Sequence, residues 1–210
     1  MTPTQICNLA LAKLGDAAQV KSIAPADGSM QAQYCALFYG QALSVLMDKH
    51  AWAFATVTAG LAQAAGNGNP LWAYAYALPA DYFSLVEVRQ AGAAPVEPFG
   101  WEAAPLNADP FVEYEIQAGV LYCNLDGAVL VYVSNAFNDA ANFQPMFVEA
   151  LACLLASYLA GPILKGDVGA AAAQRFFGSF QAALAEAIVN DGQYRRVRPV
   201  YVADGVRARF

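Results

Sequence analysis

Few side chains in this 210-residue chain can do chemistry, and their spacing leaves little room for catalysis. His50 is the single histidine, which excludes a histidine-built metal cluster. It falls where a helix is expected to end, so it reads as a cation suited to the C-terminal dipole rather than as a general base. Cys7, Cys35, Cys123 and Cys153 form no Cys-x-x-Cys pair and stand among apolar residues. They are expected to be reduced core residues of a cytoplasmic protein. No Gly-x-Ser-x-Gly elbow occurs. The run Gly66-Asn67-Gly68-Asn69-Pro70 lacks the third glycine and the lysine of a phosphate loop, and reads as a turn. Asp81 and Glu87 could work as an acid pair only if folding brought them into one cleft. The expectation is a protein that is not an enzyme and has no cofactor.

Two features could bind something. Trp72, Tyr74 and Tyr76 alternate on one face of an expected strand, which could stack against a sugar ring or a base, as in a carbohydrate-binding module. The same pattern also suits a row of core aromatics, which is the favoured reading because Ala73, Ala75 and Ala77 make the opposite face a poor core. The second feature is a basic C-terminal arm, residues 195–210. Up to Tyr194 the chain has six basic residues against sixteen acidic ones, a net −10; beyond it there are five against one, a net +4. Arg195, Arg196, Arg198, Arg207 and Arg209 are interspersed with Val197, Val200, Tyr201, Val202 and Phe210. That apolar content favours docking over a solvated end. Five arginines on so acidic a body make a weak nucleic-acid site.

The elements that must carry these residues are organised around 143–164, FQPMFVEALACLLASYLAGPIL, the most apolar run in the chain. Pro145 suits a first helical turn, and Pro162 after Gly161 suits an end. The run is long enough to raise a membrane span. Glu149, the diluting Ala, Gly and Ser, and the absence of flanking Lys or Arg clusters argue instead for a central helix covered on all sides. Met146, Leu151, Leu154, Leu155 and Leu159 would each contribute on the order of 2 kcal/mol on burial.

Thr4 can cap a first helix that runs to about Leu14 and stops at Gly15, and Ser29 can cap a second that runs to about His50. From Trp52 the pattern alternates, and 53–61, 71–78, 82–90, 111–117, 119–124 and 128–134 read as strands, with Asp126-Gly127 a turn. In FVEYEIQ, Val112, Tyr114 and Ile116 are expected to face one way, Glu113 and Glu115 the other. A last helix spans about Asp167–Asp191, where Gly169 and Gly178 each cost about 1 kcal/mol relative to Ala, so close packing is their expected reason. The fold class is therefore α+β. A helical bundle (1–51 and 135–194) carries an inserted small antiparallel β domain (52–134) and an extended C-terminal tail (195–210). The opening MTPTQICNLALAKLG has no basic stretch ahead of a long apolar one, so no signal peptide is expected. An apolar fraction of 58% with 13% charged residues points to surface covered by other subunits.

ICNLALAKLG at 6–15, WAFA at 52–55, YAYALPADY at 74–82 and FQPMFVEALACLLASYLAGPI at 143–163 together resemble, in order and spacing, the head-to-tail adaptors of short-tailed phages, also called tail tubular protein A. Residues 91–110 and the tail beyond 194 carry no part of the resemblance. It implies a structural virion protein of the tail or neck, present in the host cytoplasm during assembly. Such a protein forms a homo-oligomeric ring, dodecameric in that family, between the portal protein and the tail nozzle protein. Double-stranded DNA passes through the channel without specific binding, no membrane is involved and no cofactor is used. On that reading the arm with Arg195, Arg196, Arg198, Tyr201, Arg207, Arg209 and Phe210 is the candidate portal-docking segment. Glu113 and Glu115 are candidate channel-facing carboxylates, which would keep DNA from adhering. A head–tail connector of a long-tailed phage is the nearby alternative.

Overall fold

The computed structural model describes residues 1–91, 112–137 and 139–194. The C-terminal arm, with Arg195, Arg196, Arg198, Tyr201, Arg207, Arg209 and Phe210, lies outside the described residues. The protein is mixed α and β, with four α-helices and two small three-stranded antiparallel sheets. It divides into two compact units. One joins Met1–Thr56 to Val133–Tyr194, and the other contains Val57–Tyr132.

The first unit holds the helices. α1 (Pro3–Lys13) begins two residues earlier than expected, because the cap is Thr2 and not Thr4. The Thr2 hydroxyl accepts from Gln5 N at 3.2 Å, and Thr2 N donates to the Gln5 side chain at 2.9 Å. This reciprocal box is the one that Thr-x-x-Gln spacing allows, with Pro3 at a position whose missing N–H costs nothing. Ser29 caps α2 (Met30–Asp48) by accepting from Ala32 N.

α3 (Pro145–Leu164) packs against α1, α2 and the last helix. Every residue from Ala150 to Ser157 is buried, more than two full turns, so the helix is covered on all its faces there. It is the one helix among the described residues long and apolar enough to cross a membrane, and 67% of that stretch is buried inside the protein. Pro162 does not end it: the helix continues through the proline to Leu164. A proline this close to the C-terminus removes only one backbone bond and leaves the final turn intact.

The turn into α4 (Gly166–Gly192) is a single residue, Lys165, with φ +57°, followed by Gly166 at φ +53°. So short a corner forces the two helices together. A Cβ built on Gly169 would lie 2.9 Å from the Ala160 carbonyl oxygen. Close packing therefore explains Gly169. It does not explain Gly178, where a Cβ would meet nothing within 4 Å.

The second unit holds the sheets. β1 (Thr56–Gly60), β6 (Ala128–Ser134) and β3 (Tyr82–Gln90) form one, in the order β1-β6-β3. β2 (Tyr74–Ala77), β5 (Val120–Cys123) and β4 (Tyr114–Gln117) form the other, with Tyr74 and Tyr114 both opposite Cys123 on the central β5. Tyr76, Leu121 and Cys123 from one sheet and Val88, Leu130 and Tyr132 from the other make a common core. The strand expected over 53–61 starts only at Thr56, because Ala53–Ala55 form a 3-10 turn.

Candidate functional site

The most highly connected buried polar group in the helical unit is Asp191, near the end of α4 and 0% exposed. Its carboxylate accepts from Ala53 N, 3.0 Å from both oxygens, from Gln144 Nε2 at 3.1 Å, and is bonded to His50 Nε2 at 3.0 Å. Burying a carboxylate is tolerated when its lone pairs are filled in this way. Each partner has a local reason for its place. His50 follows the end of α2, Ala53 opens the 3-10 turn, and Gln144 is the residue ahead of Pro145 in α3. The His50 ring stands edge-on to Trp52, centroids 5.0 Å apart, and Trp52 donates its indole N–H to Leu46 O at 3.0 Å.

An Asp–His pair is also half of a general-base arrangement. The Asp191 oxygens, however, are already occupied by backbone and amide donors. The cluster is a clasp joining the ends of α2 and α4 to the start of α3. His50 follows the last turn of α2, as its sequence position implied, and its partner is a side chain rather than the helix dipole alone.

A second polar cluster lies in the β unit around Glu115. Its carboxylate accepts from Trp72 Nε1 at 2.8 Å, Asn69 Nδ2 at 3.1 Å and Gln117 Nε2 at 2.6 Å. The loop that brings Asn69 there is closed by its own side chains. Asn67 Oδ1 accepts from Asn69 N, and Asn67 Nδ2 donates to Trp72 O. Along β4, Tyr114 and Ile116 lie on one side and Glu115 on the other, the alternation expected of FVEYEIQ. Glu115 is half-buried, whereas Tyr114 and Ile116 are exposed. β4 stands beside β5 alone among the described strands, so alternation there sets which side chains meet the loop, not which meet the core. Glu113 is exposed.

The aromatic row divides. Tyr76 is 2% exposed, its hydroxyl donating to Leu125 O at 2.7 Å and accepting from Gly127 N at 2.9 Å, so it braces the Asp126-Gly127 turn. Trp72 and Tyr74 are half-buried. Ala75 is buried, and Ala73 and Ala77 are exposed. Asp81 accepts from Tyr132 Oη, while Glu87 pairs with Arg89. Each acid thus has a partner of its own.

Among the described residues no group of three or more His, Cys, Asp or Glu could hold a metal ion. All four cysteines are free and buried. Burial pushes the Cys123 and Cys153 thiols up from their ordinary range, away from nucleophilic reactivity.

Among the exposed residues of the helical unit several are large and apolar. Met30 and Leu37 on α2 are 59% and 66% exposed; Val168, Phe177 and Val189 on α4 are 68%, 46% and 69% exposed. Reasoning from sequence missed the Asp191 clasp, since nothing in a lone aspartate near a helix end announces three distant partners. It also missed the two exposed helix faces, although a signal was present: Met30 to Met47 contains no charged residue. No protein-family model matches the chain, and no curated protein matches it.

Proposed function

We propose that this chain is a structural virion protein, the head-to-tail adaptor of a short-tailed phage. Copies of it close into a ring, dodecameric by the resemblance, between the portal protein and the tail nozzle protein, and DNA passes through the channel. The helices behave as one bundle interrupted by the β unit, and the basic arm 195–210 reaches the portal. The observation that carries the reading is the exposed apolar surface of α2 and α4 on an otherwise well-filled helical unit. A subunit of a closed assembly needs such surface, and a protein working alone does not.

Glu113 is the better candidate for a channel-facing carboxylate, because Glu115 is already held by Trp72 and Asn69. Against the carbohydrate-binding reading stands Tyr76, whose buried ring leaves only Trp72 and Tyr74 to stack on a sugar.

Negative-stain imaging and light scattering of the purified protein, alone and with portal rings, test the proposal. Rings of uniform size on the portal vertex are expected. A protein that stays monomeric and unbound in the presence of portal overturns it. Deleting 195–210 is expected to abolish portal binding, and unchanged binding would remove the arm from that interface.

A further inference from the structure

Two of the four buried cysteines meet each other. Cys7 on α1 and Cys35 on α2 are both 0% exposed, their helices touch, and the Cys7 side chain is hydrogen-bonded to Cys35. The other two thiols have oxygen partners instead. Cys153 Sγ lies 3.6 Å from Glu149 Oε1, and Cys123 Sγ lies 3.9 Å from Leu125 O.

The pair is asymmetric. The hydrogen bond from Cys7 holds the Cys35 thiol below its ordinary value, and the same contact, together with burial, raises Cys7. Cys35 is therefore the sulfur that ionises first, and Cys7 the one that keeps its proton. Tyr39 stands one turn beyond Cys35 on α2, and its buried hydroxyl has no hydrogen-bond partner among the described residues. Burial first, and then Cys7, push that hydroxyl up, so it remains a donor. An unpartnered hydroxyl is an exception in a core that otherwise satisfies its polar groups, and this one belongs to the cluster that holds both thiols.

We infer that Cys7 and Cys35 are a redox pair that closes to a disulfide in the presence of hydrogen peroxide, bracing α1 to α2 inside the helical unit. The inference goes beyond the ring reading and does not depend on it. The Cys35 thiolate attacks one peroxide oxygen. The O–O bond breaks, Cys35 becomes a sulfenic acid, and the other oxygen leaves as water with the proton that Cys35 gave up. The Cys7 sulfur then attacks the sulfenic sulfur. An S–S bond forms, the S–O bond breaks, and the departing hydroxide takes the Cys7 proton as a second water, with the Tyr39 hydroxyl as its donor. Two thiols and one peroxide thus become one disulfide and two waters, the sulfurs losing the two electrons that the peroxide gains. Both sulfurs are covered, so the oxidant has to be small and to enter by local opening. A reducing cytoplasm keeps the pair open, and an oxidising exterior closes it slowly.

The test holds the full chain in hydrogen peroxide or in dithiothreitol, then unfolds it and titrates it with a maleimide. All four thiols are expected to react in the reduced sample and two in the oxidised one. The oxidised chain should be lighter by two hydrogens, and its digest should contain the Cys7 and Cys35 peptides joined until reductant is added. The oxidised protein should melt roughly 5–10 °C above the reduced one, a rise that Cys35→Ala abolishes. Should Cys35→Ala fail to fold, the double variant Cys123→Ala with Cys153→Ala carries the test, because it should still form the link. Tyr39→Phe should form the link several-fold more slowly, and an unchanged rate removes Tyr39 from the step. Four reactive thiols after peroxide, or a link through Cys123 or Cys153, overturn the pairing. A Cys7–Cys35 link with no rise in melting temperature overturns the brace.

Discussion

His50 Nε2 lies 3.0 Å from Asp191 Oδ2 across 141 positions of sequence, and the Asp191 side chain is 1% exposed while that of His50 is 28% exposed. The asymmetry locates the stability in the carboxylate. It is the acceptor on which the backbone N–H of Ala53 and the amide of Gln144 converge as well.

Asp191→Ala is therefore expected to cost about 3 kcal/mol, because it strands three buried or half-buried donors at once. His50→Gln should cost about 1 kcal/mol, the worth of one partly solvated hydrogen bond. Urea denaturation followed by circular dichroism gives both values. A larger loss for His50→Gln than for Asp191→Ala would mean that the carboxylate is not the centre of the clasp.

Two glycines of one helix should respond with opposite signs. Gly169→Ala pushes a methyl to 2.9 Å from a backbone oxygen of α3, and overpacking of that kind costs about 1–3 kcal/mol. Gly178→Ala meets open space and should stabilise the isolated subunit by about 1 kcal/mol. Thermal melts of the two variants at low protein concentration decide it, and equal signs would sink the account of the α3–α4 corner.

Acid should loosen the loop before α2 late. The Ser29 hydroxyl, with the backbone N–H groups of Lys21 and Ser29, holds the Asp27 carboxyl down at about 2. A depressed folded value means that this contribution is fully present above the ordinary Asp value of about 3.9 and is lost as pH falls through about 2. Between those limits Asp27→Asn should flatten part of the decline in stability with pH. An unchanged profile for the variant would show that these hydrogen bonds do not favour the ionised form.

Tyr76→Phe removes the hydroxyl that joins Leu125 O to Gly127 N and should cost about 1–2 kcal/mol. Titrating oligosaccharides against tryptophan fluorescence should give no saturable change in the wild-type chain. A saturable change that survives in Tyr76→Phe and is lost in Trp72→Ala would favour sugar binding.

Much of the architecture was legible in the sequence because it is local. Ser29 before an apolar-periodic run, Pro145 at a helix start, and Asp126-Gly127 between two strands each act through their own neighbours, and each is found in that role. The errors were local competitions decided by one residue. Thr2 won the cap over Thr4 because Gln5 lies three residues beyond it. Pro162 failed to end α3 because so late in a helix it removes little. On the candidate site, the alternation of Tyr114 and Ile116 with Glu115 was legible, but not which side would be covered, since an edge strand takes its burial from the loop beside it.

By itself the sequence determined the class of the fold, the central place of the 143–164 segment and the scarcity of catalytic groups, because periodicity, turn residues and composition act within a few positions of themselves. Only the tertiary structure decided that Asp191 gathers His50, Ala53 and Gln144, that Gly169 is compressed while Gly178 faces open space, and that Leu37 is left uncovered. Those facts depend on which distant surfaces meet, and a linear pattern that fixes which face of a helix is apolar does not specify what will cover it.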